Sequence, residues 1–238
     1  MTAIAGSSIL VIGATGGLGR ELSRLLAERG ALLVLSGRSE AGLASLDVPG
    51  ARVVADVSDP VAVAALVREA LAVSGRLDGI INAAGVVAFG PASELTDETL
   101  TELFLVNALA PMRVLREAVP ALAESAAAGR EPFVLTLSGV VSESPTAHMA
   151  AYSASKAAVA AFVQATAREL RRTGIRVIDA RPGHTETALS THPLAGTAPR
   201  LPAGYPPASV ALRIVQAIES GEKDLPSTAF ASLTPAAS

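Results

Sequence analysis

Apolar runs of strand length alternate along the chain with longer stretches of helical period. Ser8–Ile12 ("SILVI") predicts a first strand, and Gly17–Arg29 a helix closed by Gly30. Ala31–Ser36 and Ala51–Ala55 predict the second and third strands. In "DVSDP", Ser58 or Asp59 is placed to cap a helix over Val61–Ser74, with Pro60 at its first position. A fourth strand is expected at Leu77–Asn82. Helical periodicity then runs through Thr96–Ala128, opening on the capping pattern "TDET" and expected to break near Pro111 and Pro120. Phe133–Ser138 predicts a fifth strand, Ala151–Thr173 a helix, Ile175–Ala180 a sixth strand and Ser209–Ser220 a last helix.

Strands that alternate with helices in this way imply a doubly wound parallel sheet, a Rossmann-type three-layer α/β/α arrangement. Their near-continuous apolar character suits a sheet covered on both faces. No linker or repeat divides the chain, so residues 1–238 are expected to form one domain. Residues 188–208, rich in Pro, Gly and Thr, are expected to be a loop that closes over a substrate.

Composition narrows the functional classes. Half the residues are apolar and 17% are charged, with a net charge of −3, which argues against a nucleic-acid footprint. Without cysteine there is neither a disulfide framework nor a thiolate metal site, and the histidines show no metal spacing. No stretch approaches the roughly 20 apolar residues of a membrane span. The expectation is a soluble cytoplasmic protein. The chain is rich in arginine yet has only two lysines, Lys156 and Lys223, and two tyrosines, Tyr152 and Tyr205. In that background the Tyr152–Lys156 pair, four residues apart on one helix face, points to chemistry rather than to solvation.

At the other end of the chain, "GATGGLG" lies between the first strand and the first helix. Gly13, Gly17 and Gly19 permit a tight turn, so that backbone N–H groups can approach a pyrophosphate at the helix N-terminus. Thr15 and Leu18 belong to the same loop. Strand two ends in Ser36-Gly37-Arg38-Ser39, without the carboxylate that would bind a ribose 2′-hydroxyl. Arg38 can pair with a 2′-phosphate and Ser36 or Ser39 can donate to it, which favours NADP(H) over NAD(H).

With these features the sequence resembles the classical short-chain dehydrogenase/reductase family over nearly its whole length. The matching residues are Gly13-x-x-x-Gly17-x-Gly19, Asp56-Val57, Asn82-Ala83-Ala84-Gly85, Asn107, Tyr152-x-x-x-Lys156 and Pro182-Gly183-His184-Thr185-Glu186-Thr187. The resemblance implies that Asp56 and Val57 contact the adenine, and that Asn82–Gly85 line the adenosine side. It implies that Pro182–Thr187, with Pro182, Gly183, Thr185 and Thr187 as the contacts, hold the carboxamide and phosphates. Lys156 would also bind the nicotinamide ribose, and Asn107 would hold a proton-relaying water. A small-molecule carbonyl or alcohol substrate and a homodimer or homotetramer follow from the same resemblance.

Carbonyl reduction needs a proton for the developing alkoxide. A free phenol, with a pKa of about 10, is a slow donor at neutral pH. A nearby cation such as Lys156 is expected to lower that value by about one to three units. The family's remaining member is a serine 13 residues before the tyrosine, and that count from Tyr152 falls on Gly139. Ser138 or Ser142 could present its hydroxyl instead, with Ser138 the favoured candidate beside Asn107, Tyr152 and Lys156. A water could fill the place, or the protein could bind dinucleotide as a non-catalytic sensor or scaffold.

Overall fold

In the computed structural model, which describes residues 2–236, the alternation resolves into parallel strands and intervening helices. The expected domain's Met1, Ala237 and Ser238 lie outside the described residues. The strands are β1 (Ser8–Ile12), β2 (Leu32–Gly37), β3 (Ala51–Val54), β4 (Gly79–Asn82), β5 (Phe133–Leu137), β6 (Arg176–Ala180) and β7 (Asp224–Leu225). The helices are α1 (Gly17–Glu28), α2 (Glu40–Ala44), α3 (Pro60–Ser74), α4 (Asp97–Phe104), α5 (Ala110–Ala127), α6 (Ala150–Glu169) and α7 (Pro207–Ser220).

All strand pairs are parallel, in the order β3-β2-β1-β4-β5-β6-β7. The order reverses between β1 and β4. In such a sheet the ligand crevice opens outside the carboxyl ends of the strands at that switch point. Side chains alternate across the sheet. Ile9 and Val11 enter the core shared with α1 and α7, while Leu10 and Ile12 enter the core shared with α3, α5 and α6.

Local chemistry explains most boundaries. Asp59 caps α3 by accepting from Val61 N at 2.8 Å, and Pro60 opens the helix. Thr96 caps α4 through Thr99 N. Of the two expected breaks in Thr96–Ala128, the one near Pro111 is found and the one near Pro120 is not. The interruption is a π turn at Leu105–Leu109, just before Pro111, which brings no N–H to the carbonyl four residues back. Pro120 breaks nothing: it lies on the exposed side of α5, where water can serve the carbonyl it leaves free.

The helix expected over Ala151–Thr173 is α-helical only to Glu169 and finishes as a 3₁₀ turn, Leu170–Thr173. The loop expected at 188–208 ends slightly early, because α7 opens at Pro207. Short α2 and two-residue β7 went unforeseen. None of the helices is long and apolar enough among the described residues to cross a membrane.

Candidate active site

The glycine loop is held at the end of β1. Gly13 and Ala14 both donate to Ser36 O at 2.9 Å, tying it to the end of β2. Gly13 takes a φ of +77°, and a Cβ there would stand 2.5 Å from Ala84 N. At Gly19 a Cβ would fall 2.0 Å from Gly13 O. The loop therefore packs directly on the Asn82–Gly85 segment with no room for side chains. Gly17 meets Thr187 in the same way, a Cβ lying 2.5 Å from its methyl, which joins this loop to the one after β6.

Helix α1 starts with neither a side-chain cap nor an acidic residue in its first turn. Its leading N–H groups are thus available to an anion. Leu18 packs on the core, and the Thr15 side chain lies against Gly37 and Gly42. Arg38 is exposed at the end of β2. Ser36 is fully buried and its hydroxyl has no hydrogen-bond partner among the described residues, while Ser39 is occupied as the N-cap of α2.

Asp56 is exposed. Hydrogen bonds from Ser58 N (2.9 Å) and Ser58 Oγ (2.8 Å) hold its carboxyl below the usual range, and the Arg38 charge adds to this. Val57 beside it is buried. Asn82 donates to Thr136 Oγ1 at 3.2 Å, linking the ends of β4 and β5, and Ala83 N continues the ladder to Ile12 O.

Tyr152 and Lys156 lie one turn apart on α6, with Nζ 5.9 Å from the ring centroid. Both are buried. Nζ donates to Leu137 O at 2.8 Å, the last carbonyl of β5. Asn107, in the π turn, accepts from Val86 N at 3.0 Å and donates to Val86 O at 2.9 Å and Ser155 Oγ at 3.0 Å. Its amide thus clasps the loop after β4 onto α6. Lys156 Nζ and Asn107 Oδ1 close around Gly85, 3.5 and 3.4 Å from where a Cβ would stand.

The electrostatics correct one expectation. Lys156 does not bring the phenol down, because burial pushes Tyr152 up to about 12. Burial also draws the Lys156 ammonium down to about 8, with the Asp179 carboxylate acting in the opposite sense. Desolvation of both groups outweighs their mutual effect across 5.9 Å.

Ser138 is a second correction. It is fully buried, its hydroxyl donating to Asp179 Oδ2 at 2.8 Å and lying 3.1 Å from Ser142 Oγ. Ser142 in turn donates to Gly139 O at 2.7 Å. Ser138 N and Gly139 N both point at Ala180 O, so the chain bulges as it leaves β5. The bulge keeps the Ser138 hydroxyl in the fold rather than turning it out. Gly139 itself sits at φ +74° and ψ 165°, and a Cβ there would find only Pro182 O, at 3.8 Å.

The sequence model of the short chain dehydrogenase family matches residues 7–195. The chain belongs to this family. Ketoacyl reductase HetN of Nostoc sp. is 30% identical over 227 residues, covering 92% of this chain and 78% of that protein. Among solved structures, the fold is similar to a 3-ketoacyl-(acyl-carrier-protein) reductase from Brucella melitensis complexed with NADH. That pair gives a TM-score of 0.85 and 26% identity over 94% of this chain and 97% of the other. A metagenomic short-chain oxidoreductase in complex with NADP matches with a TM-score of 0.78 and 26% identity over the same shares, 94% and 97%.

Within this short-chain dehydrogenase the 183–187 loop is buttressed from the far side. Thr185 pairs with Tyr205, Glu186 N donates to Tyr205 O at 3.0 Å, and Tyr205 N donates to His184 O at 2.8 Å. The 188–206 segment is also laced to the loop after β4. Leu194 N donates to Val87 O at 2.8 Å, and Phe89 N donates to Ala195 O at 2.9 Å. Val87, Ala88, Phe89 and Leu103 form an apolar cluster with Tyr152, against which Ala195 and Ala198 pack.

Unforeseen was a charge cluster at the end of β6, built on the buried Arg181 and Asp179. Arg181 pairs with Asp179 at 2.7 Å, with Asp224 at 2.8 Å and with Glu143. Burial disfavours the guanidinium's charge, but the three carboxylates more than offset that, and its pKa is raised. The signal was present in "DAR", two charged residues at alternate positions ending an apolar strand, hence on one face.

Proposed function

We propose that this short-chain dehydrogenase is an NADP(H)-dependent oxidoreductase that interconverts a carbonyl and a secondary alcohol, with Tyr152 as acid/base. The observation that carries this is the buried Tyr152–Lys156 pair, closed with Asn107 around Gly85. A nicotinamide dinucleotide, when bound, supplies or accepts the hydride. The uncapped start of α1 and the side-chain-free packing of Gly13 and Gly19 fit its pyrophosphate. Gly13, Thr15, Gly17, Leu18 and Gly19 would hold that group. Asp56, Val57 and Asn82–Gly85 would hold the adenosine side. Pro182, Gly183, Thr185 and Thr187 would hold the nicotinamide side. Arg38 is assigned to a 2′-phosphate. Ser36 could contribute there only from beneath, through the unpartnered hydroxyl.

The chain's own residues do the proton work. A phenol whose pKa burial raises to about 12 arrives protonated and can donate to a forming alkoxide. Lys156 stabilises the phenolate left behind, and Asn107 fixes the loop against which both groups stand. Ser138 is turned into the fold and Ser142 donates to Gly139 O, so on this reading neither hydroxyl is offered to the substrate oxygen, and a missing donor of this kind typically costs about 10²–10³ in rate. The vacancy at Gly139 also favours a second reading, a dinucleotide-binding protein without turnover.

A panel of ketones, aldehydes and secondary alcohols with NADPH and NADP⁺, followed by the absorbance of the reduced nicotinamide, separates the two. The ketoacyl reductase relatives make β-ketoacyl compounds the first to try. Turnover that falls at least about 10²-fold in Tyr152→Phe with NADPH binding retained supports the enzyme. Tight NADPH binding without turnover on any compound supports the rival. Arg38→Ala should abolish a preference for NADPH over NADH in fluorescence titration. Equal affinities in the wild type would overturn the cofactor assignment.

A further inference from the structure

The buried carboxylate of Asp179 lies on the same face of the sheet as α6. Val177, two residues earlier on β6, joins the core containing Val159 and Val163 of α6, whereas Ile178 and Ala180 point to the opposite core. Strand alternation therefore aims Asp179 at the layer that carries Lys156. The same count on β5 puts Val134, Thr136 and Ser138 on that face, and Thr136 stands opposite Asp179 in the register. Two adjacent residues at the end of β5 thus serve the two charges. Lys156 Nζ takes the carbonyl of Leu137, and Asp179 takes the hydroxyl of Ser138.

The cluster is not neutral in itself. One guanidinium, Arg181, faces the buried carboxylate of Asp179 and the more exposed ones of Glu143 and Asp224, a formal excess of two negative charges of which water screens the outer pair. Asp179 Oδ1 is buried without a hydrogen-bond partner among the described residues. Arg181 occupies the other oxygen, Oδ2, and Lys156 is a second buried cation on this face, whose charged form the Asp179 carboxylate favours.

Among titratable groups, α6 itself supplies Tyr152, β6 supplies Asp179, and the turns after β5 and β6 supply Glu143 and Arg181 through the cluster. The π turn offers only the neutral Asn107. On α4, Asp97 and Glu98 are exposed and Glu102 partly so, while α5's Arg113 and Arg116 line a groove with Phe162, Thr166 and Glu169 at the other end of α6, and Glu117 pairs with Arg116.

We propose that Asp179 is a positioning residue for the reaction: its buried charge keeps Lys156 an ammonium beneath the tyrosine, with Arg181 setting how much of that charge Lys156 feels. The structural alternative is that Asp179 only anchors Ser138 and Arg181. This inference rests on Lys156 being part of the active site, but its test does not require turnover.

The scarcity of lysine makes Lys156 directly observable. With [13Cε]-lysine the protein gives two side-chain signals, from Lys156 and Lys223, and Lys223→Arg assigns them. The titration midpoint of Lys156 is then followed by NMR. Asp179→Asn should lower that midpoint by about one pH unit or more, the effect of losing a nearby opposite charge. Ser138→Ala, which removes a hydrogen bond but no charge, should leave it within about 0.3 units, well under a charge effect.

Arg181→Gln should move it in the opposite direction, upward, because the cluster then has no competing cation. Should Asp179→Asn not fold, the sign in Arg181→Gln decides. An unchanged midpoint in Asp179→Asn, an equal fall in Ser138→Ala, or no rise in Arg181→Gln overturns the proposal. If the midpoint shifts as stated while Tyr152→Phe retains full turnover, the catalytic assignment fails and the electrostatic one stands.

Discussion

Restoring the family's serine at Gly139 should harm this protein rather than improve it. The backbone there has φ +74° and ψ 165°, a region open essentially to glycine alone. A side chain would not collide, since the nearest heavy atom to a built Cβ is Pro182 O at 3.8 Å. The whole penalty is therefore conformational, about 1–3 kcal/mol for a residue held in such a region. For a domain of this size, about 2–4 °C of midpoint accompanies each kcal/mol, so Gly139→Ser should melt about 2–12 °C below the wild type. Gly139→Ala should lose the same amount, because the strain does not depend on the hydroxyl.

The assay is thermal unfolding without cofactor, whose binding would itself raise the midpoint, followed by kinetics on a turned-over carbonyl. No gain in kcat/KM is expected, because a serine forced into this backbone does not project as one in ordinary extended geometry would. The reasoning is refuted if both variants are as stable as the wild type, or if Gly139→Ser alone is stable and faster.

Three further outcomes are expected. Ser138→Ala should cost about 1–3 kcal/mol, since it strips a hydrogen bond from the buried Asp179 carboxylate, and should leave kcat and kcat/KM unchanged; a parallel fall in both would restore Ser138 to the reaction. For reduction, kcat/KM should hold below pH 8 and fall above it. Lys156 loses its proton near 8 while Tyr152 keeps its own to about 12, and a flat profile from pH 6 to 10 would contradict this. Stability should move the other way: between about 8 and the ordinary lysine value of 10.5 the folded state has released a proton that the unfolded chain still binds, so this group's contribution rises with pH. In solution the protein should be at least a dimer through α5 and α6, which leave a groove among Leu109, Met112, Val119 and Phe162; sedimentation as a 24.0 kDa monomer at micromolar concentration would refute it.

The layered architecture was legible because its signals are local and repeated: apolar runs, caps such as Asp59 and Thr96, and glycines at strand ends. Tyr152, Lys156 and Asn107 could be singled out because their spacing follows one helix or one motif, and the fold brings them together. Ser138 was misjudged because the direction of its side chain depends on a bulge, set by two N–H groups sharing Ala180 O from another strand. The phenol's pKa was misjudged for a related reason. Proximity to Lys156 can be read from i and i+4, whereas the desolvation that prevails comes from Val87, Phe89 and Leu103, which are distant in sequence. The Arg181 cluster combines residues 143, 179, 181 and 224, and only the tertiary fold brings these together.

The two hydrogen bonds that lace Leu194 and Ala195 to Val87 and Phe89 have a statistical consequence. Tyr152, 9% accessible, belongs to the cluster on which Ala195 and Ala198 pack, so parting of the stitching widens its access to solvent. Two such bonds are worth about 1–3 kcal/mol net, and the packing of Ala195 and Ala198 on the Tyr152 cluster adds to that, so an open form is a minor fraction, about one molecule in six at the very most. That fraction multiplies directly into the apparent affinity for anything that must enter. A sequence change at 194–196 that touches neither Tyr152 nor Lys156 would therefore alter the substrate concentration at which the protein half-saturates, with its chemistry intact.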